Sequence, residues 1–166
     1  MRAPIRKPGK YTHLKSDPHL TQAKLDELKE QLEKLKKFSQ PKAADEVRRL
    51  AELGDLSENA AYQIAKGRLR GINQKIIELE NETNKAIIIK PFKYGGTVQL
   101  GCRVTLEISG KKSEYLILGS AETNPGQGVI SHNSPIGSAI MGHLIGDELQ
   151  IVLKGRQIKC KIINIE

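Results

Sequence analysis

The sequence predicts an α+β fold: an N-terminal antiparallel coiled-coil hairpin, then a small antiparallel sheet with one short helix. Three observations carry this. Apolar residues recur at 3-4 spacing through most of the first half. The run Gly54-Asp55-Leu56-Ser57-Glu58-Asn59 breaks that pattern with a helix stop followed by cap-forming residues. After Lys90 the chain changes to short segments rich in Val, Ile and Leu, bounded by Gly and Ser. The boundaries that follow are a basic N-terminal arm over 1–19, the hairpin over 20–90 and a C-terminal domain over 91–166.

The arm carries Arg2, Arg6, Lys7, Lys10 and Lys15 against Asp17 alone, with Pro4, Pro8, Gly9 and Pro18. It reads as irregular chain, either contacting phosphates or acidic protein or simply a solvated tail. Thr21 is placed to cap the first helix, with Asp26 and Glu27 near its positive end. Leu25, Leu28, Leu32 and Leu35 form one seam. Pro41 lacks an amide hydrogen and predicts a kink or short break, after which Val47, Leu50 and Leu53 carry the apolar face onward. Gly54 stops the helix, and either Asp55 or Ser57 caps the next one. In the second helix Tyr62, Ala65, Leu69, Ile72, Ile76, Leu79 and Thr83 continue the 3-4 alternation. Between Thr21 and Gly54 a helix rising about 1.5 Å per residue reaches roughly 50 Å, too long for a compact helical domain.

Strands are predicted at Thr97 to Leu100, Cys102 to Ile108, Ser113 to Leu118, Gly128 to Ile130, Glu148 to Leu153 and Gln157 to Ile165, with Gly95-Gly96 and Ser109-Gly110-Lys111 as turns. Ser134 as cap, Pro135 at the first helical position and Gly142 as terminator specify one short helix. A small antiparallel sheet packed on that helix buries the apolar strand faces.

The chain of 166 residues has a formal net charge of +8. Residues 1–90 hold 19 Lys+Arg against 13 Asp+Glu, and residues 91–166 hold 8 against 6, so the excess lies on the first half. That balance favours an acidic partner such as nucleic acid, without identifying it. No apolar run is long enough to span a membrane and the N-terminus lacks a signal-peptide core, which predicts a cytoplasmic protein. Cys102 and Cys160 are isolated and predict buried, reduced thiols. His13, His19, His132 and His143 show no ligand spacing along the chain, so no metal site of its own is expected.

The predicted tip holds two carboxylates, Asp55 and Glu58, at the end of a rod and far from any pocket. Groups that bind metal or move protons from such a position work inside another protein's active site. The residues Gly54-Asp55-Leu56-Ser57-Glu58-Asn59-Ala60, then Tyr62, Ala65, Lys66, Gly71 and Ile76-Ile77-Glu78-Leu79-Glu80, resemble the tip and second arm of the bacterial GreA/GreB transcript cleavage factors. Ser134-Pro135-Ile136, Ala139, Gly142 and Ile145-Gly146-Asp147-Glu148-Leu149 resemble that family's C-terminal domain, and Pro41 falls where its members usually carry proline.

The resemblance implies a hairpin that enters the secondary channel of bacterial RNA polymerase, and a C-terminal half similar to the FKBP fold that docks on the polymerase. Asp55 and Glu58 would be the catalytic tip acids. Placed at i and i+3 of a helical first turn, they would share one side and help to hold a Mg²⁺ of the polymerase. Gly54, Leu56, Ser57 and Asn59 would shape the tip, Ser57 lying near the reacting groups. Arg48, Arg49, Lys66, Arg68 and Arg70 would guide the nascent RNA, and Asn133, Ser134 and Pro135 would dock on the polymerase rim. Tyr62 would stack on a base or pack in the seam. The factor would act as a monomer, activating cleavage of the backtracked RNA 3′ end rather than being an enzyme, with no cofactor beyond the shared Mg²⁺.

Two departures from the family pattern stand out: Ala61, where many members have an acid, and Asn133, where some relatives have one. The N-terminal arm is also longer than the usual family start. The competing readings are a channel-binding inhibitor, a coiled-coil adaptor or nucleic-acid binder without cleavage stimulation, and a prolyl isomerase. The last is disfavoured because the C-terminal half offers only Phe92, Tyr94 and Tyr115 to line a proline pocket.

Overall fold

A computed structural model describes residues 17–54, 59–90, 96–153 and 155–166. The basic residues Arg2 to Lys15, the tip residues Asp55, Leu56, Ser57 and Glu58, and the turn residue Gly95 lie outside the described residues.

The first arm of the hairpin is continuous helix: α1 (Gln22–Lys34), a π-helical turn over Leu35–Ser39, and α2 (Gln40–Ala51). Thr21 caps it as expected, its hydroxyl oxygen accepting from the Lys24 N–H at 3.2 Å. Pro41 neither breaks nor ends the helix. In an α-helix its ring would collide with the carbonyl four residues back, and the widened turn just before it removes that conflict. The Gln40 N–H accordingly reaches the Leu35 carbonyl, five residues back.

The π turn also resets the seam. Leu25 and Leu28 are buried and Leu32 and Leu35 half-buried. An unbroken heptad from Leu28 and Leu35 would next turn Lys42 and Arg49 inward. The buried residues are instead Ala43 and Leu50, one position later, because the extra residue of the π turn advances the register by one. Phe38, inside that turn, is left 69% exposed. Val47 is half-buried, but Leu53 does not continue the seam, being 71% exposed beyond the end of α2.

The second arm, α3 (Ala60–Lys85), follows the predicted periodicity throughout: Ala65, Ile76 and Leu79 are buried, and Tyr62, Leu69, Ile72 and Thr83 half-buried. Its cap is Asn59 rather than Asp55 or Ser57, the Asn59 Oδ1 accepting from the Tyr62 N–H at 3.0 Å. Polar contacts cross between the arms, from Gln40 Nε2 to Asn73 Oδ1 at 2.9 Å and from Arg68 to Glu46 at 2.9 Å. At the base, Leu20, Leu28 and Leu79 form a small cluster with Leu32, Leu35 and Ala86. Two short strands that sequence periodicity did not disclose, β1 (His19–Leu20) and β2 (Ile87–Ile88), pair in parallel and tie the hairpin's two ends together.

The C-terminal sheet comprises β3 (Arg103–Ile108), β4 (Lys111–Leu118), β5 (Val129–Ser131), β6 (Glu148–Leu153) and β7 (Arg156–Ile165), in the order β5-β4-β3-β7-β6. Ser109 and Gly110 join β3 to β4 with φ of 51° and 78°, the doubly left-handed turn that matches strand twist. The sheet is not wholly antiparallel. β5 lies parallel to β4, because the chain crosses over through 3₁₀ turns at Ser120–Glu122 and Pro125–Gln127 before re-entering in the same direction. Nor do residues 97–100 form a strand: Thr97 makes an isolated bridge to Leu144, while Val98 is fully buried and bonds to the His143 carbonyl.

The short helix α4 (Pro135–Ile140) starts where the cap grammar placed it, Ser134 Oγ accepting from the Gly137 N–H at 3.0 Å. It contributes Ile140 to a core containing Val104, Leu106, Ile117, Ile151 and Ile162. Cys102 and Cys160 are free thiols inside that core, and burial pushes both pKa values up, which leaves them unreactive in the folded chain.

Candidate functional site

The hairpin's end is built by two local devices. α2 finishes at Ala51, and the Gly54 N–H turns back to the Ala51 carbonyl at 3.4 Å. Gly54 has φ +77°, a conformation that a side chain would strain. On the other side Asn59 both caps α3 and accepts from the Gln63 N–H through its carbonyl. Residues 55–58, with both tip acids, connect these ends. α3 begins at Ala60, and the expected placing of Asp55 and Glu58 on one side of a helical turn lies outside the described residues. Near the tip Leu53 and Ile64, 71% and 66% exposed, present apolar surface on the two arms.

The five cations expected to guide RNA lie on the two arms and are all exposed. Arg48 pairs with Asp45 at 2.7 Å and Arg68 with Glu46 at 2.9 Å. The Lys66 ammonium lies 5.8 Å from the centre of the Tyr62 ring. Arg49 and Arg68 line a recess of about 410 Å³ with Lys42, Asp45 and Glu46. Exposed pairs of this kind contribute at most about 1 kcal/mol, so they leave the guanidinium groups free to exchange an internal carboxylate for a phosphate.

In the C-terminal domain Asn133 and Pro135 are exposed and Ser134 is half-buried. Ser134 serves as the α4 cap, and the Asn133 N–H donates to Ser131 Oγ at 3.0 Å. The Gly146-Asp147 pair joins β6 to the sheet: the Gly146 N–H bonds to the Ile162 carbonyl, and the Ile162 N–H to the Asp147 carbonyl. The Leu144 N–H and the His143 ring lower the Asp147 pKa. A groove of the domain, about 580 Å³, is lined by polar and aliphatic residues of β6, β7 and the β3–β4 turn. Among the described residues no aromatic side chain lines it, which weighs against a proline pocket.

A third group was invisible in the sequence, because its members lie on segments far apart in the chain. Asp17 Oδ1 is 2.8 Å from His19 Nδ1 and accepts from the His19 N–H at 3.1 Å. Its Oδ2 accepts from the Ser120 N–H at 2.8 Å and the Ser120 hydroxyl at 3.1 Å, and lies 3.4 Å from His132 Nδ1. Burial raises the Asp17 pKa, but the hydrogen bonds from His19 and Ser120 outweigh it and bring the value down to about 2. Beside it, the Glu122 carboxylate accepts from the Thr21 N–H and hydroxyl. These contacts fasten the hairpin root to the sheet domain. His19 and His132, which show no ligand spacing along the chain, are thus brought together around Asp17 by the fold. Gly119 is required here, since a Cβ would fall 1.8 Å from the His19 carbonyl oxygen.

Comparison with known proteins accounts for both halves. Residues 19–88 match the family model described as transcription elongation factor, N-terminal, and residues 93–166 the model described as transcription elongation factor, GreA/GreB, C-terminal. The chain is 37% identical over 149 residues to transcription elongation factor GreA of Macrococcus caseolyticus, covering 88% of this chain and 94% of that protein. It is 37% identical over 150 residues to the factor of the same name from Staphylococcus saprophyticus, covering 89% and 95%. Among solved structures, GreA factor homolog 1 of Thermus thermophilus aligns over 89% of this chain and 97% of its own, at 28% identity and a TM-score of 0.41. Matched in order along both halves, and aligned over nearly the full length of its relatives, the chain belongs to the GreA/GreB family of transcription elongation factors.

Proposed function

We propose that this chain rescues arrested transcription by stimulating the RNA cleavage activity of bacterial RNA polymerase. The hairpin enters the secondary channel and brings Asp55 and Glu58 to the catalytic centre, where the 3′ end of a backtracked RNA is extruded. One observation carries this reading: in a chain matched along both halves to transcription elongation factors, two carboxylates sit in the short connector between Gly54 and Asn59, at the end of a hairpin.

The donor chemistry fits. Carboxylates are hard oxygen ligands, and Mg²⁺ characteristically takes one or two of them while keeping several waters. A Mg²⁺ shared with the polymerase, held in part by these carboxylates, would supply an acidified water and neutralise charge developing on the scissile phosphate. On this chain Asp55 and Glu58 provide the oxygens and orient the attacking water, Ser57 lies beside the reacting groups, and Leu56 shapes the tip between Gly54 and Asn59. Arg48, Arg49, Lys66, Arg68 and Arg70 guide the extruded RNA, while Asn133, Ser134 and Pro135 dock on the polymerase rim. Bond breaking stays with the polymerase, so the chain is an activator, working as a monomer in the cytoplasm.

The test uses defined backtracked elongation complexes with the purified chain. Accelerated cleavage is expected, and Asp55→Ala or Glu58→Ala should remove the acceleration while binding to polymerase persists. A wild-type chain that occupies polymerase yet slows cleavage would replace this reading with that of an inhibitor, and one that does not bind would leave an adaptor. Fragment lengths then report subtype, for which the Lys66-Gly67-Arg68-Leu69-Arg70 run resembles the longer-fragment branch.

A further inference from the structure

The root of the hairpin carries a group of side chains that the cleavage reading does not use. Asp17, His19 and His132 each offer one donor atom, and the three atoms lie within 4.8 Å of one another. The His19 and His132 rings meet edge to face, 5.4 Å between centres and 83° between planes. In a tetrahedral site with bonds of about 2.0–2.1 Å, ligand atoms stand roughly 3.3 Å apart. Asp17 Oδ1 lies 2.8 Å from His19 Nδ1 and Asp17 Oδ2 lies 3.4 Å from His132 Nδ1, both near that value, so small movements that turn one carboxylate oxygen between the two rings admit one ion.

The surroundings are built to hold these donors. The Asp17 side chain is only 5% exposed, and Ser120 anchors it with two hydrogen bonds. Ser120 Oγ is in turn 2.9 Å from Ser131 Oγ. The backbone of His132 is fixed by its N–H to the Leu118 carbonyl. Partners that orient the ligands are the usual support of a metal centre. His19 is the more open side of the group, with 32% of its side chain exposed, and gives an ion a way in and a water a fourth position.

We propose that Asp17, His19 and His132 bind one borderline transition-metal dication, Zn²⁺ foremost, that clamps the hairpin root to the sheet domain. Two imidazoles and one carboxylate suit Zn²⁺ and its neighbours Co²⁺, Ni²⁺ and Cu²⁺, whereas Mg²⁺ and Ca²⁺ prefer oxygen alone. The site lies at the opposite end of the hairpin from the tip: α3 alone, 26 residues long, separates the two by roughly 39 Å. The proposal therefore stands or falls independently of cleavage.

The test is titration of the full-length chain with Zn²⁺ and with Co²⁺, read by calorimetry and by the visible spectrum of bound cobalt. One saturable equivalent is expected, with a visible cobalt spectrum of nitrogen and oxygen ligation and without the intense thiolate bands that Cys102 or Cys160 would add. His19→Gln and His132→Gln should each weaken binding at least tenfold, while the Asp55→Ala, Glu58→Ala double variant binds as wild type. Zn²⁺ should raise the melting temperature of the wild-type chain and leave that of His132→Gln unchanged. Failure of the wild-type chain to take up a saturable equivalent of either ion would overturn the proposal, whatever the variants do. So would wild-type affinity in both glutamine variants, or loss of binding in the tip double variant.

Discussion

The hairpin and the sheet domain solve the problem of burial in opposite ways. In the sheet domain Val98, Val104, Leu106, Ile117, Ile140 and Ile162 are wholly inaccessible, enclosed between strands and one helix. Along the hairpin the seam is a single row, its buried members among the described residues being Leu25, Leu28, Ala43, Leu50, Ala65, Ile76 and Leu79, while Phe38, Leu53 and Ile64 face solvent. Two helices side by side can shield only one stripe each, so length is obtained at the expense of core. The difference teaches where stability resides: the domain holds an enclosed core, while the arm is held by one stripe along its length.

Removing a tip acid should give the largest separation of the two regions. Asp55→Ala or Glu58→Ala should reduce stimulated cleavage by about 10²–10³-fold, the scale of losing a group that stabilises transition-state charge. The melting temperature should stay within about 1 °C if the acids serve the polymerase rather than the fold. A comparable loss of stability would mean that the acids are structural. In the anchor, Leu106→Ala should cost about 2–5 kcal/mol in denaturant unfolding, whereas Ala65→Gly in the arm should cost only about 1 kcal/mol.

The π turn offers a sharper probe of the arm. Deleting Phe38 removes the extra residue and keeps Ala43 and Leu50 in the seam, but restores the conflict between Pro41 and the preceding turn, at about 3 kcal/mol. Adding Pro41→Ala to the deletion should recover most of that, measured by thermal melting of the pair. If the double change is no better than the deletion, the turn exists for another reason than the proline.

At the junction of the two regions, the lowered pKa of Asp17 links stability to acid. A carboxylate held below its unfolded value of 3.8 contributes fully above that pH, and the contribution is lost as pH falls through about 2. Asp17→Asn should therefore lower stability at neutral pH by about 1 kcal/mol, allowing for solvent screening, and flatten the acid limb of the curve below pH 4. The smallest effect is expected at Arg68→Ala, whose pair with Glu46 is exposed: under about 1 kcal/mol in stability, with weaker cleavage stimulation at raised salt if the cation guides RNA.

Much of this architecture was legible in the residues. The α3 seam follows the 3-4 spacing through Thr83 because nothing in that helix interrupts the period. Strands β3, β4, β6 and β7 were found by their Val and Ile content, and the α4 cap by its Ser-Pro pair. Pro41 announced a local disturbance, but spacing alone did not distinguish a break from an inserted residue, and so Ala43 was missed. The parallel course of β5 was also hidden, since side-chain alternation is the same in both strand directions. The cap of α3 is Asn59 and not Asp55 or Ser57, a choice spacing could not make because Asp, Ser and Asn within a few positions are equally good caps on paper.

The sequence by itself determined the hairpin, its stop at Gly54, the sheet segments and the acidic connector, because each rests on contacts between residues close in the chain. Only the tertiary structure decided the register of the first arm, the strand order and the meeting of Asp17 with Ser120 and His132. Those depend on how loops close over a hundred residues, and helix and strand periodicity carry no information about distances of that kind.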